Sequence, residues 1–289
     1  MCQSASFVLT EAGVYWSVET DSHESIGEKF DLPLWLAGRS AVVFVEAHPT
    51  AGLEDWPAWE VVIDTPEDEL PAWFDDDRQS HLNRVAREIP RWVRAKFLPA
   101  EGGGLRVVGN MNVSKWSEGS LRNVSEVDGY LFAPRLTEAP LLKKVGGKLT
   151  AQLLTKAPLL QEVGGSLSAP HLTKAPLLQE VGESLLAGRL VEAPVLEQVG
   201  GRLSASKLTE APMLLEVGEN MWVESLIEAP MLQKVGGELY AHHLTRAPML
   251  QEVGDDLYAP HLTKANAPML REVDEQPWSP EPDDDEQEP

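Results

Sequence analysis

An octet, APLLQEVG, occurs at residues 157–164 and again at 175–182, and the 18-residue step between the copies recurs through more than half of the chain. A fixed period this short is the signature of a solenoid, in which each repeat packs only against its neighbours. Eight coils are clear, and a ninth is expected to begin at 105–109, where LRVVG is out of phase by one residue. The period is marked by a valine before a glycine, at Val127, Val145, Val163, Val181, Val199, Val217, Val235 and Val253.

The apolar positions of one coil predict which side chains face inward. In the segment GGKLTA, Leu149 and Ala151 alternate as in a short strand, so both are expected to face the interior. The remaining apolar positions recur every third residue, which fits tight turns or an extended, polyproline-like return path. Because the proline after each alanine cannot donate to a β-ladder, we expect it at a corner, and we expect a sheet on the GGxLxA side only. The inward set is Val145, Leu149, Ala151, Leu154, Ala157, Leu160 and Val163.

A glycine follows the marker valine in every coil from Gly146 to Gly254, whereas the next residue is Gly, Glu or Asp. This pattern predicts that the first position needs a positive φ or a close approach of backbones that a Cβ would block. The second position carries no such requirement. With a rise of roughly 4.8 Å per coil, eight coils would span about 40 Å.

The coil phrase LxxAPxLxxVGGxL resembles a short leucine-rich repeat, and it is especially similar to the LPxLxxVGGxL coils of receptor-L-like and other bacterial and fungal leucine-rich proteins. The resemblance covers residues 105–273. It departs from that family in its shorter period and in the lack of an asparagine ladder. The resemblance implies a right-handed, leucine-rich-repeat-like parallel β-solenoid with a binding or scaffolding surface, although a fold alone does not give a function.

Residues 1–100 lack the 18-residue period and contain six of the nine tryptophans. Their pattern predicts a β-hairpin around 11–13, a short helix capped at Asp21 or Ser22, and strands in SAVVFVEA and WEVVIDT. We therefore expect a small, Trp-rich α+β domain. Its opening, MCQSASFVLT…VYWSVETDSHESI, resembles a small amino-terminal domain of phage and mobile-element proteins that precedes a repetitive tail. That resemblance implies a phage origin and supplies no reaction.

A helix is expected from Asp76 to about Phe97, with a kink at Pro90, leading into the first coil and capping it. Its basic residues could grip phosphate or an acidic partner, or they could form the solvated face of an amphipathic helix, and the second interpretation is favoured because no phosphate motif accompanies them. The apolar face is predicted to hold Leu82, Val85, Ala86, Ile89, Val93 and Phe97. The basic residues are Arg84, Arg87, Arg91, Arg94 and Lys96.

The net charge of −22 is unevenly distributed along the chain. Residues 1–100 carry 18 acids and 8 bases, residues 101–273 carry 20 acids and 16 bases, and residues 274–289 carry 8 acids and no base. A nearly balanced repeat region argues against a solenoid whose body imitates DNA. The tail at 274–289 is acidic and proline-rich, so it is predicted to be disordered and to solubilise the open end of the last coil, or to dock on a basic surface.

Several classes of protein are not expected from this composition. No apolar run approaches the length of a membrane span, and the first ten residues lack the features of a signal peptide. Cys2 is the single cysteine, which excludes an internal disulfide framework and indicates a reducing, cytoplasmic setting. There is no P-loop, dinucleotide fingerprint, His-Glu metalloprotease motif or Cys-x-x-Cys pair, so no cofactor is predicted.

Cys2 is also the one candidate nucleophile. Removal of the initiator methionine would leave a cysteine whose own amine could act as a base, and His23 with Glu24 could supply another base and the group that orients it. The alternative is that Cys2 is a small buried hydrophobe with no catalytic role, and this is favoured because the surrounding motif of known amino-terminal nucleophile enzymes is missing.

A stronger candidate surface lies in the last three coils. The residue after the inward leucine changes there from serine to Trp222, Tyr240 and Tyr258, and a corner of the same coils carries histidines. Aromatic side chains with polar tips suit a recognition surface, but an aromatic ladder also stabilises a strand face by itself. Zinc binding is not favoured, because no carboxylate or cysteine partner is fixed nearby. The patch comprises Trp222, Tyr240, Tyr258, His242, His243 and His261.

Together these features favour a non-catalytic interaction or scaffold protein, expected to be encoded by a phage, that presents solenoid faces to a host or phage protein. Inhibition or sequestration of that protein is one expected use. A protein partner is expected, whereas binding to nucleic acid or to a membrane is not. The sequence does not decide whether the chain forms a homo-oligomer. One alternative is an enzyme that acts through the amino-terminal domain, with the solenoid as a targeting or oligomerisation arm. The other alternative is an acidic polyanion mimic, whose binding would be strongly salt-dependent.

Overall fold

A computed structural model describes residues 5–36, 39–50, 53, 59–116 and 121–271. In these ranges the chain folds as a parallel β-solenoid preceded by a small antiparallel sheet with few helices, as the sequence predicts. None of the described helices combines the length and the apolar composition needed to cross a membrane.

In its described residues, the amino-terminal part contains two antiparallel sheets and three α-helices. Its elements are β1 (Ser6–Leu9), β2 (Val14–Trp16), α1 (His23–Lys29), β3 (Trp35–Leu36), β4 (Arg39–Ser40), β5 (Val43–Pro49), β6 (Trp59–Ile63), a 3₁₀ turn at Glu67–Glu69, α2 (Ala72–Asp75) and α3 (Arg78–Lys96). The larger sheet has the strand order β2-β1-β5-β6, and β3 pairs with β4. The predicted hairpin is β1–β2, and the two further strands predicted in SAVVFVEA and WEVVIDT are β5 and β6.

Helix α1 begins at one of its two predicted caps, and α3 lies within the predicted range 76–97. Ser22 caps α1, because its side-chain oxygen accepts a hydrogen bond from the Ser25 amide. Asp77 caps α3, which contains Pro90 as expected. The predicted apolar face of α3 is wrong at Ala86, which is exposed, since the 3.6-residue period places Trp92 on the buried face with Val85 and Ile89 instead.

Each coil of the solenoid contributes to three parallel ladders. Two are regular sheets: one contains the valine before the glycine, and the other contains the inward leucine after it. The third is a row of single bridges at the position of Lys156. The first sheet contains β7 (Phe97–Pro99), β8 (Leu105–Val107), β10 (Val124–Val127), β12 (Lys144–Val145), β14 (Glu162–Val163), β16 (Glu180–Val181), β18 (Gln198–Val199), β20 (Glu216–Val217), β22 (Lys234–Val235) and β24 (Glu252–Val253). The second contains β9 (Met111–Asn112), β11 (Leu131–Phe132), β13 (Leu149–Thr150), β15 (Leu167–Ser168), β17 (Leu185–Leu186), β19 (Leu203–Ser204), β21 (Met221–Trp222), β23 (Leu239–Tyr240) and β25 (Leu257–Tyr258).

The prediction of a sheet on the GGxLxA side only is therefore wrong. Apolar residues recur every third position because the coil contains two tight turns. Each turn begins at an inward alanine and ends at an inward leucine. The Leu154 amide donates to the Ala151 carbonyl over 3.0 Å, and the Leu160 amide donates to the Ala157 carbonyl over 3.3 Å. Pro158 lies at the second position of its turn, where a fixed φ is favourable, so the proline corner is confirmed.

The first glycine of each coil is required by a close approach of backbones and not by a positive φ. A Cβ on Gly182 would lie 2.1 Å from the carbonyl oxygen of Gly164 in the preceding coil. The positive-φ glycines of the described chain all lie outside this series. At the second position other coils carry Glu183, Glu219 or Asp255, so a glycine is not required there in every coil. Gly165 itself is closely packed, since a Cβ on it would lie 2.9 Å from backbone atoms of the preceding coil. The prediction for the first glycine is confirmed as a close approach of backbones.

The interior is continuous from the amino-terminal sheet to the last coils. The inward set predicted for one coil is fully buried, and a single apolar cluster extends from Ala5 to Val253. β7 pairs antiparallel with β8, and β8 pairs parallel with β10, so the ninth coil exists and α3 leads into its edge. Val107 pairs with Val127, which lies 20 residues later, so this coil departs from the 18-residue period by two residues and not by one as predicted.

Lys96 anchors this junction and does not belong to a solvated basic face. It is 2% exposed, and its ammonium donates hydrogen bonds of 2.6–2.7 Å to the carbonyl oxygens of Val18, Val108 and Asn110. Burial lowers the pKa of Lys96 to about 8, which leaves it charged at neutral pH. The three carbonyls connect the end of β2, the last turn of α3 and the first coil.

We expect Lys96→Met to destabilise the protein by roughly 2–4 kcal/mol, because three buried carbonyl oxygens lose their charged donor. Urea unfolding compared with Arg94→Met, at an exposed position of the same helix, measures the effect. Equal stability of the two variants would show that the junction does not depend on this ammonium.

We expect Gly182→Ala to lower the free energy of unfolding by roughly 1–3 kcal/mol, because the added methyl group forces neighbouring coils apart. The control variant is Gly188→Ala, at a turn of the same solenoid where an added Cβ would meet no atom within 4 Å. Thermal unfolding of both variants checks the prediction, and equal losses at the two sites would contradict it.

Candidate functional site

Three aromatic side chains form one row on the outer face of the second sheet. Trp222, Tyr240 and Tyr258 occupy equivalent positions of β21, β23 and β25, with Cα atoms paired in register. Because adjacent parallel strands lie about 4.8 Å apart, such side chains can stack. The Tyr240 and Tyr258 ring centroids are 4.8 Å apart with planes at 10°. Trp222 and Tyr240 are 37% and 39% exposed, so solvent reaches the row.

Arg202 lies at one end of the row. Its guanidinium carbon is 4.5 Å from the centroid of the Trp222 ring, a cation–π contact. Arg202 belongs to the preceding coil, directly before β19. The contact orients the indole, so that the exposed part of Trp222 has a defined position on the surface.

Three histidines lie at the other end of the row. The His242 ring centroid is 6.1 Å from that of Tyr258 and 5.8 Å from that of His261, and it is 4.7 Å from that of His243. The His243 Nδ1 lies 2.7 Å from the Glu224 carbonyl oxygen. The Nδ1 of His242 is buried, and it has no hydrogen-bond partner among the described residues. The six residues predicted as a binding patch are thus brought together as one surface.

The patch combines aromatic rings with charges of both signs. Arg202 supplies a positive charge at its start, and Asp255 and Asp256 are exposed beside its last strand. In the part of the chain that the structure describes, no three His, Cys, Asp or Glu side chains are grouped as a metal site would require. The arrangement is suited to stacking and hydrogen bonding with a partner surface.

The amino-terminal candidates have a different arrangement from the one expected. His23 is buried, with Nε2 3.2 Å from the Val45 carbonyl oxygen and Nδ1 3.7 Å from Asp64 Oδ2. Glu24 is exposed, so the carboxylate against the imidazole is that of Asp64. Cys2 lies outside the described residues, as does the acidic tail.

Strand β5 carries two buried polar side chains, Glu46 and His48, that were not predicted from the sequence. Glu46 is 1% exposed, and its Oε2 lies 2.9 Å from Lys115 Nζ and 3.5 Å from His48 Nε2. His48 is 6% exposed, and within the described ranges neither ring nitrogen has a hydrogen-bond partner. The available signal was the pair of polar residues two apart in FVEAHP, which alternation places on one face of a buried strand.

Comparison of the chain with protein-family models, with curated protein sequences and with solved structures finds no match.

We expect the stability of the amino-terminal part to fall as the pH drops below 6.5. Burial lowers the pKa of His23 and His48 below the ordinary value of 6.5, so both rings are neutral in the folded state at pH 7. The unfolded chain binds protons at these residues at a higher pH than the folded chain does. Their contribution to stability is therefore complete above pH 6.5 and is lost under acidic conditions.

His48→Gln tests this expectation, because a neutral amide of similar size removes one titrating group. Urea unfolding between pH 7 and about 5 should show a shallower loss of stability for this variant than for the natural protein. His261→Gln, at an exposed site, is the control. The prediction fails if the slopes of His48→Gln and the natural protein coincide.

Proposed function

We propose that the protein is a non-catalytic interaction protein that binds a protein partner through the patch of Trp222, Tyr240, Tyr258, His242, His243 and His261. The observation that carries the proposal is a row of aromatic rings that is stacked and oriented within the chain, yet more than one third exposed at Trp222 and Tyr240. Rings that are already ordered lose little conformational freedom when a partner covers them, and this favours affinity.

The choice of a protein partner rests on charge. The chain has a net charge of −22, and the patch has acidic residues beside its last strand. A nucleic-acid surface would repel such a protein, since phosphate contacts supply most of the affinity in such complexes. The resemblance of the opening motif to phage and mobile-element proteins supports a phage-encoded protein of the bacterial cytoplasm, which inhibits or sequesters a host or phage protein.

The experiment compares a variant of the patch with a variant at the equivalent strand positions of earlier coils. Trp222→Ser, Tyr240→Ser and Tyr258→Ser are combined in one protein, and Phe132→Ser and Leu186→Ser, at equivalent positions in earlier coils, are combined in the control. We expect the partner that co-purifies with the natural protein from its host to be lost with the patch variant, by about tenfold or more in affinity, and kept with the control. Retention by the patch variant would overturn the proposal.

A second candidate function is supported by β5. A buried neutral His48 beside a buried Glu46 carboxylate, with both ring nitrogens unpartnered among the described residues, suits a general base. The alternative is therefore an enzyme that acts through the amino-terminal domain, with Cys2 as the nucleophile and the solenoid as a targeting or oligomerisation arm. Cys2→Ala separates the two: loss of the biological effect with partner binding intact would support the enzyme.

A further inference from the structure

An apolar ridge runs along the proline corner of the solenoid. In each coil the residue after the proline occupies the third position of the turn, and it is always leucine, valine or methionine. Several of these side chains are well exposed, including Leu177 at 38% and Met213 at 43%. Its members at regular 18-residue spacing are Leu141, Leu159, Leu177, Val195, Met213, Met231 and Met249.

The turn itself does not require an apolar residue at this position. The other tight turn of the coil has the same Ala-x-x-Leu form, with Val223 in place of alanine in one coil, and the same hydrogen bond between its ends. Its third position is polar or charged in all but one coil. A continuous apolar strip on a monomer surface marks an interaction site. The equivalent residues of the other turn are Arg135, Leu153, His171, Arg189, Lys207, Ser225 and His243.

We infer that the ridge binds a second copy of this chain, packed antiparallel about a two-fold axis that passes through the coil of Val195. In this arrangement Val195, the smallest ridge residue, meets itself. The leucine half of one copy faces the methionine half of the other, with Leu177 against Met213 and its counterparts in order outward. Flexible methionine side chains adapt to leucine, and a two-fold interface repeats each contact.

The row of single bridges beside the ridge supplies the argument from charge. In the order of the coils, its side chains are negative, positive, positive, negative, negative, negative and positive. Within one chain this leaves Glu210 between two glutamates, about 4.8 Å from each coil neighbour, which is unfavourable. Three ion pairs relieve the rest: Lys156 with Glu138, Lys174 with Glu192 and Arg246 with Glu228. The row is Glu138, Lys156, Lys174, Glu192, Glu210, Glu228 and Arg246.

The proposed axis makes this row complementary to itself at every position except the axis. Lys174 faces Glu210 of the second copy, Lys156 faces Glu228, and Glu138 faces Arg246. Glu192 meets its own copy on the axis, where each Glu192 is paired with Lys174 of its own chain. Moving the axis by one coil adds like-charge contacts, with Glu138 against Glu210 in one direction and Glu192 against Glu228 in the other. On the other side of the ridge lies the row of residues that precede the marker valines in the first sheet. With the same axis, two of its three pairings join opposite charges, because Glu162 faces Lys234 and Lys144 faces Glu252. The third pairing joins like charges, Glu180 and Glu216.

The contact area indicates a weak, reversible dimer. Six steps of about 4.8 Å give a strip about 29 Å long, and a width of about 20 Å includes the charged rows. The total buried surface is then roughly 1,200 Å², at the lower end of the range for specific interfaces. Such a dimer should form at micromolar concentrations and weaken with salt. The patch of the proposed function lies at another corner, so this inference does not depend on it.

Sedimentation equilibrium of the full chain tests the inference with Glu210→Lys. Within one chain this lysine lies between Glu192 and Glu228, so folding stability should be kept or raised. In the dimer it faces Lys174 of the other copy, twice, and we expect association to weaken by about tenfold or more. The double variant Lys174→Glu with Glu210→Lys restores opposite charges and should restore the dimer. Glu219→Lys, at the glycine corner, is the control.

A second variant acts on the apolar contact. Val195→Asp places two carboxylates face to face on the axis and should abolish association, whereas Lys207→Asp at the other turn should not. Circular dichroism of each variant establishes that the coils are intact. A natural protein that stays monomeric at high micromolar concentration, or a Glu210→Lys variant that associates like the natural protein, would overturn the inference.

Discussion

The close approach of each coil's first glycine to a backbone carbonyl of the coil before it is the constraint on which the solenoid depends. A Cβ on any of these glycines, from Gly146 to Gly254, would lie 2.0–2.2 Å from that oxygen, which belongs to Asp128 for Gly146 and to the preceding first glycine for the others. The close contact fixes the separation of the coils and keeps all three ladders in register. The distance between equivalent residues of neighbouring coils, in the aromatic, charged and apolar rows alike, therefore depends on this one contact.

The features that could be predicted are those repeated in every coil. The inward side chains, the proline corner and the role of the first glycine follow from a period of 18 and from elementary sterics. The third ladder was missed because a bridge of one residue, such as that at Lys156, leaves no alternation in the sequence. The offset of the first coil was misjudged because its Val107 and Val108 both fit the marker position.

The candidate sites also differ in how far the sequence predicts them. The late-coil patch could be predicted, since an exact repeat tells which residues are neighbours. Lys96 could not, because a lysine on an amphipathic helix reads as solvent-facing until the carbonyls of the first coil are placed around it. Likewise Glu46 meets Lys115, which is 69 residues away along the chain, and no local pattern connects them.

The repeated phrase builds a scaffold, and the proposed function lies where the phrase changes, in the late-coil patch. Oxidative footprinting of side chains, with and without the bound partner, measures whether this patch contacts the partner. We expect Trp222 and Tyr240 to be protected in the complex while Phe132 and Leu186 react as before. Protection confined to the residues of the amino-terminal sheet, with Trp222 unchanged, would contradict it.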